Sequence, residues 1–395
     1  MGYIIMKDRL LYIDYKMIGK DDIIEAFYSF GYDVTIIDYP VLYGENSEKT
    51  NELIENEICR GYSLVFTSNY YPSVSDICQK NKTKYISWTY DSPRISLYDI
   101  SINNRCNYAF VFDSEECVSL RNKGVSRVYY MPLGVNTKRI SLLDISSKDE
   151  GLFSSDVSLV ASLYNENHNL YDRLYEKLDE YHRGYIDAVI NAQKNVYGSV
   201  FLEESLRDDI LKELYRVMPH GFGRNNLADD RYIYANYFLA RKTATYQRKE
   251  FIRAISDRYQ IKVYTPGDIS DIPTAQFMGT VDYNTDMNKV FCCSKINLNV
   301  TLPSIKTGIP LRALDIMGAG GFLLTDYRAD MEGLFEPGID YDYYTSIDDA
   351  LYKIAYYLEH EDERNQIAEN GKRKVELELT YLARIRDILD IVNNE

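Results

Sequence analysis

Residues 295–340 run KINLNVTLPSIKTGIPLRALDIMGAGGFLLTDYRADMEGLFEPGID, and two periodicities follow one another along them. Ile296, Leu298 and Val300 alternate with Asn297 and Asn299, the period-2 signature of a half-buried strand. A polar loop over 301–309 then holds Ser304, Lys306, Thr307, Gly308 and Ile309. Pro310 stands where a helix would begin, because its fixed φ suits the first turn and its missing N–H is no loss there. Leu311, Leu314 and Met317 recur at helical spacing, and Gly318 is the expected left-handed stop. Residues 321–325 (GFLLT) form the next apolar strand. The stretch is therefore a strand–loop–helix–strand unit with a polar loop aimed at a helix N-terminus.

That arrangement suits an anion. First-turn amides of a helix lack internal partners and carry the positive end of the dipole, so phosphate is a natural ligand. Lys306 adds a full charge. Asp315 lies five residues past Pro310, about 7.5 Å along the axis, close to the separation of a nucleotide's diphosphate from its ribose. An acceptor-only carboxylate suits a vicinal diol. Two structural readings stand beside this. Arg312 and Asp315 are spaced i,i+3 and can form a surface pair, and 318–321 (GAGG) reads as a tight helix-to-strand turn.

Composition narrows the function classes. A chain of 395 residues gives a prior of two domains or slightly more, and a formal net charge of −15 argues against a nucleic-acid or anionic-membrane partner. The six cysteines and four histidines show no metal-ligand spacing, so no metal and no cofactor are expected. Isolated cysteines fit a reducing cytosol. The N-terminal residues are too polar for a signal peptide and no apolar run approaches a membrane span. A cytoplasmic protein without an integral membrane segment is the expectation.

Along residues 9–134, near-continuous apolar strands at 10–14, 34–38, 63–67, 85–88, 108–112 and 128–131 alternate with helical segments, which predicts a parallel sheet covered on both faces. Ligand-facing loops gather at the carboxyl ends of such strands. Here they include 89–93 (TYDSP) and 132–136 (PLGVN). Residues 137–155 are polar and serine-rich and read as a linker. A second α/β unit opens at 156–164 (DVSLVASLY), is interrupted by a helical insertion over about 165–258, and resumes with strands at 261–265, 277–281, 296–300 and 322–326. The chain after 343 is helical. Neither a G-x-G-x-x-G nor a G-x-x-x-x-G-K-[ST] occurs, so dinucleotide dehydrogenases and P-loop NTPases are not indicated.

The runs SKINLNVT (294–301), SIKTGIPLRALDIMGAGGFLLTDY (304–327), LFEPGIDYDYY (334–344), AENGKRKV (368–375) and TYLARI (380–385) resemble the C-terminal half of CgeB-like, spore-maturation-type glycosyltransferases. SWTYDSP (87–93), AFVFD (109–113) and YYMPLGVN (129–136) resemble the N-terminal domain of the same proteins.

The resemblance implies an α/β GT-B fold: two Rossmann-like domains, 1–145 and 146–379, facing a cleft, with the helical insertion in the second. The terminal helix, 380–395, would pack back on the first domain. It implies a hexosyltransferase that moves a sugar from a nucleotide donor, UDP-linked, to a surface protein or polysaccharide acceptor. In the Glu-x7-Glu pair of related GT-B enzymes, Asp315 matches the second carboxylate, while the first falls on Thr307. The Arg/Lys pair that often follows the first strand of the second domain is replaced by Tyr164-Asn-Glu-Asn-His168. Lys295, Lys306 or Arg312 would then neutralise the diphosphate beside Thr307, Gly308 and Ile309. Ser162 and Tyr164 would line the donor, with Tyr283 walling the base and Val281 reading its edge. On the acceptor side stand Tyr90, Ser92, Gly134 and Asn136. Asp91 follows the strand 85–88, so its position makes it a candidate catalytic base, against the alternative that it caps backbone amides in an Asx turn ahead of Pro93. A non-catalytic scaffold or partner subunit, or a nucleotide-sugar epimerase on the same fold, are the alternatives.

Overall fold

A computed structural model describes residues 8–38, 48–221 and 226–395. The chain forms two compact units. The first comprises residues 1–134, 223–227 and 379–395, and the second 135–222 and 228–378.

In the first unit, β1 (Arg9–Asp14), β2 (Asp33–Asp38), β3 (Leu64–Ser68), β4 (Lys84–Trp88), β5 (Asn107–Val111) and β6 (Val128–Tyr130) pair in parallel in the order β2-β1-β3-β4-β5-β6. Every residue of β3 and β5 is buried. This is what unbroken apolar strands dictate when helices cover both faces. The terminal helix Tyr381–Asn394 belongs to this unit and packs on the helix Lys20–Ser29. Lys84 Nζ donates to Val392 O at 2.6 Å. Gly134 allows a close approach here, since a Cβ would lie 3.1 Å from the Tyr381 backbone.

The second unit holds β7 (Ser155–Val160), β8 (Ile261–Tyr264), β9 (Gln276–Gly279), β10 (Ser294–Asn299), β11 (Leu323–Asp326) and β12 (Asp342–Tyr344), all parallel, in the order β12-β11-β10-β7-β8-β9. Counted from β7, this is the doubly wound order 3-2-1-4-5-6, whose direction of winding reverses between β7 and β10. The carboxyl ends of those two strands therefore flank the crevice where such sheets bind ligands.

Several expectations are revised. The polar stretch 137–155 is not a bare linker: it holds the helices Thr137–Ser141 and Ser147–Phe153. The strand β12 and the helix Asp286–Cys293 are additional elements. The left-handed residue that ends the helix Leu311–Gly318 is Gly320 (φ +78), and Gly318 is instead required by packing, since its Cβ would meet Val135 Cγ1 at 2.7 Å. Within the insertion, residues 230–256 are one continuous helical run in which Tyr234–Leu239, near its start, is π-helical.

Candidate functional site

The site in the second unit is built on the β10 loop. Asp326, at the end of β11, accepts from Thr301 N (2.9 Å) and Thr301 Oγ1 (2.7 Å), and pairs with Arg328 at 2.7 Å. Arg328 in turn donates to Ile305 O (2.7 Å) and Lys306 O (3.2 Å). Both ions are 3% exposed, so a desolvated pair with its hydrogen bonds filled fixes the loop from below. Asp330 N closes the far side on Thr307 O at 3.1 Å. The loop delivers the chain to Pro310, which caps the helix Leu311–Gly318 without a side-chain bond to its first-turn amides.

Asp315 is 3% exposed and accepts from Tyr283 Oη at 3.1 Å. Tyr283 lies in the turn after β9, which also carries Val281, and Arg139 sits 5.9 Å over its ring. Arg312 and Asp315 form no surface ion pair. Arg312 Nη1 donates to Met287 Sδ and its guanidinium lies 5.9 Å from the Phe291 ring. Burial presses Arg312 below its ordinary value, against the pull of Asp315 and Tyr283, and the nearby Arg248 charge lowers it further. Lys306 is held 3.3 Å from Glu203, which also accepts from Asn236 on the π-helical turn at 3.0 Å. Thr307 is half-buried, and Gly308 and Ile309 are buried.

Arg248 was not legible in the sequence. It projects from the helix Ala240–Ser256 and is 6% exposed. Nε and Nη2 donate to Val300 O at 3.1 and 2.7 Å, and Nη1 donates to Ser162 O. Val300 follows β10 and Ser162 follows β7, so this one guanidinium spans the ends of the two strands at the switch point. Among the described residues it has no carboxylate partner. A buried cation held only by carbonyl dipoles carries an uncompensated desolvation cost that an anion would offset. The loop beside it is also strained: Tyr164 has φ +52, unusual for a non-glycine residue, and its ring lies under Arg248 at 5.2 Å.

Lys295 is not brought to this crevice. It is the second residue of β10, about 16 Å from Val300 at 3.3 Å per residue, and pairs with Asp156 at 2.8 Å. Asn136 caps the helix Thr137–Ser141 by accepting from Arg139 N.

In the first unit, Asp91 lies in the turn after β4. Its Oδ2 accepts from Asn69 Nδ2 at 2.8 Å and lies 3.9 Å from Arg94, with half of the side chain exposed. Its other oxygen makes no hydrogen bond among the described residues. Asn69 is fully buried with φ +68 at the end of β3, and its Oδ1 accepts from the Tyr90 and Asp91 amides at 2.9 and 3.1 Å. The turn is thus organised by Asn69 rather than by Asp91 capping its own amides. The Ser92–Pro93 peptide is cis. Tyr90 packs edge-on against Trp88, and Gly134 lies under Tyr381.

Among the described residues, no helix is long and apolar enough to cross a membrane. No curated protein matches the chain in sequence. Solved structures do match it over nearly its full length. Sucrose-phosphate synthase from Thermosynechococcus elongatus is 11% identical, with a TM-score of 0.55 over 98% of this chain and 99% of that one. HepE of Anabaena, solved in complex with UDP-glucose, is 10% identical, with a TM-score of 0.53 over 98% and 100%. A glycosyltransferase from Rickettsia africae is 11% identical, with a TM-score of 0.54 over 98% of each chain. The chain thus has the GT-B glycosyltransferase fold, and its residues 241–390 match the family described as glycosyl transferase-like.

Proposed function

We propose that this protein is a CgeB-like hexosyltransferase that moves a sugar from a UDP-linked donor to a protein or glycan acceptor. The observation that carries the reading is the buried Arg248 cation at the β7/β10 switch point, beside a helix whose first-turn amides have no side-chain cap. Arg248 and Arg312 raise the local potential, and the amides of the helix Leu311–Gly318 supply directed donors, so a diphosphate entering the crevice relieves mutual repulsion of cations. Lys306 exchanges its Glu203 partner for a phosphate oxygen. Asp315 takes the ribose hydroxyls, with Tyr283 and Val281 beside the base, and Ser162 and Tyr164 border the donor. The same groups stabilise the nucleotide as it leaves, so transfer proceeds without a divalent metal. Asp91 is the first-unit group with the chemistry to take the acceptor's proton, since one carboxylate oxygen is not engaged among the described residues. That UDP-glucose is bound by HepE, a protein of the same fold, supports the choice of donor class.

Calorimetry with UDP tests the reading at Asp315. Asp315→Asn is expected to weaken UDP by ten- to a hundredfold, about 1.5–3 kcal/mol for lost charge-assisted bonds to ribose. Unchanged affinity in the folded variant would make this helix purely structural.

A further inference from the structure

Within the helical insertion, the stretch between the helices Glu180–Gln193 and Asp208–Val217 holds no helix or strand, yet it is pinned from several sides. Gln193, 1% exposed, donates from Nε2 to Ser199 O at 2.9 Å and accepts from Phe201 N at 2.9 Å. Tyr185 Oη donates to Ser205 O at 2.6 Å, and Arg231 Nε donates to Leu206 O at 2.9 Å. Leu202 and Leu206 are buried beneath it. What this scaffold presents is Glu203. The half-buried carboxylate accepts from Asn236 Nδ2 at 3.0 Å, and the same oxygen lies 3.3 Å from Lys306 Nζ. Its second oxygen takes no hydrogen bond among the described residues. Asn236 is buried in the π-helical turn and is itself fixed, since Nδ2 also donates to Tyr232 O at 3.0 Å. Such turns are rare and are concentrated at functional sites. One oxygen is thus aimed by a rigid partner while the other stays open, which makes Glu203 a preorganised acceptor of hydroxyl groups.

The order of groups in a nucleotide sugar fixes which part reaches Glu203. With ribose at Asp315 and the diphosphate at the N-terminus of the helix Leu311–Gly318, the ligand runs from the flank of that helix towards its start. The sugar is joined to the outer phosphate, so it lies on the side of the diphosphate away from the ribose. That side is the 301–309 loop, where Lys306 stands four residues before Pro310. Lys306 is the link: once its ammonium turns to the outer phosphate, the carboxylate it leaves faces the group attached to that phosphate. We infer that Glu203, carried in by the insertion, reads the donor's sugar. It accepts sugar hydroxyls, and it selects a neutral hexose over a uronic acid, whose own carboxylate it repels. This rests on the donor site proposed above and adds to it the class of sugar.

The experiment measures by calorimetry how tightly UDP, UDP-glucose, UDP-galactose and UDP-glucuronate bind the full chain, as wild type, Glu203→Gln and Glu203→Asp. In the wild type at least one neutral donor is expected to bind about tenfold or more tighter than UDP-glucuronate. Glu203→Gln keeps an acceptor for Asn236 but removes the charge, so it should close that gap to within about threefold. It should bind UDP itself as tightly as the wild type or more so, because Lys306 no longer has to leave an ion pair. If Glu203→Gln melts early, Glu203→Asp decides: with the charge kept and the reach shortened, it should still reject UDP-glucuronate but bind the preferred neutral donor about threefold or more weaker. A wild type that binds UDP but takes UDP-glucuronate as tightly as both neutral donors overturns the inference and leaves the nucleotide site standing. So does a gap that survives intact in Glu203→Gln, or, where Glu203→Asp decides, neutral donors bound as by the wild type. Loss of UDP affinity in folded Glu203→Gln would make Glu203 a support of the loop and overturn it too. A wild type that binds no UDP overturns the donor site, and the inference with it.

Discussion

Arg248 is the residue whose replacement separates charge from architecture. It contributes two things: a forked donor set that joins Ser162 O to Val300 O, and a buried positive charge. Arg248→Met fills much of the stem's volume but leaves both carbonyls without that donor, at about 1–3 kcal/mol each, offset in part by removing an unpaired buried charge. Arg248→Lys keeps the charge but can bridge only one carbonyl at a time, so a stability loss of about 1–2 kcal/mol is expected from one orphaned acceptor. The affinity effect follows Coulomb's law: at ~7 Å from a phosphate and an effective dielectric constant of about 20, one unit charge is worth about 2 kcal/mol, or ~30-fold in UDP affinity. The assay is calorimetry with UDP at moderate salt, paired with urea unfolding of each variant. Arg248→Met should lose both stability and affinity, whereas Arg248→Lys should lose stability and keep UDP affinity within about fivefold. Wild-type UDP affinity in folded Arg248→Met would refute the reasoning. Equal losses of affinity in the two variants would show that packing, not charge, is what the ligand uses.

Two further outcomes follow from particular side chains. Asp91→Asn preserves the bond from Asn69 Nδ2, so melting temperature and UDP affinity should hold while turnover falls by roughly a hundredfold or more; wild-type turnover would leave Asp91 as part of the turn alone. Asp149 sits in the capping box of the helix Ser147–Phe153, and hydrogen bonds from Ser146 Oγ and N, then Lys289, hold its carboxyl at about 2, below the ordinary 3.8. A depressed folded value stabilises above the unfolded value and is lost as pH falls through the folded one. The gap in melting temperature between wild type and Asp149→Asn should therefore be constant above about pH 5 and close from pH 4 towards 2; a gap that widens on acidification would contradict the assignment.

Much of this architecture was written in local pattern. The inner strands of both sheets are short, largely buried apolar runs between helical segments, and burial on both faces leaves little else they can be. The exceptions have physical causes. The strand β12 is Asp-Tyr-Tyr, and its charge is admitted because Asp342 is met by Lys353 and by the Tyr357 hydroxyl, both at 2.8 Å. The helix Asp286–Cys293 is short and rich in Val, Phe and Cys, which are weak helix formers. In the second unit, the loop of Lys306 and the helix of Asp315 were legible because they are contiguous in sequence. Arg248 was not, because a helical period tells which face is buried, not which distant strand ends a buried arginine will reach. Lys295 was misplaced towards the 301–309 loop because proximity in sequence hides that the two ends of a strand face opposite edges of a sheet. The π-helical turn falls inside one continuous helical run of the sequence, which a helical period alone does not divide.

The most direct test of the central claim is to incubate the protein with a panel of UDP- and other nucleotide sugars, with chelator present, and to measure release of free nucleotide with and without candidate glycan and protein acceptors. The account predicts that a UDP-sugar is turned over, that an acceptor raises the rate, and that chelator leaves it unchanged. No nucleotide release from any donor, release of nucleotide only when manganese or magnesium is restored, or conversion of the sugar without release of nucleotide would contradict it.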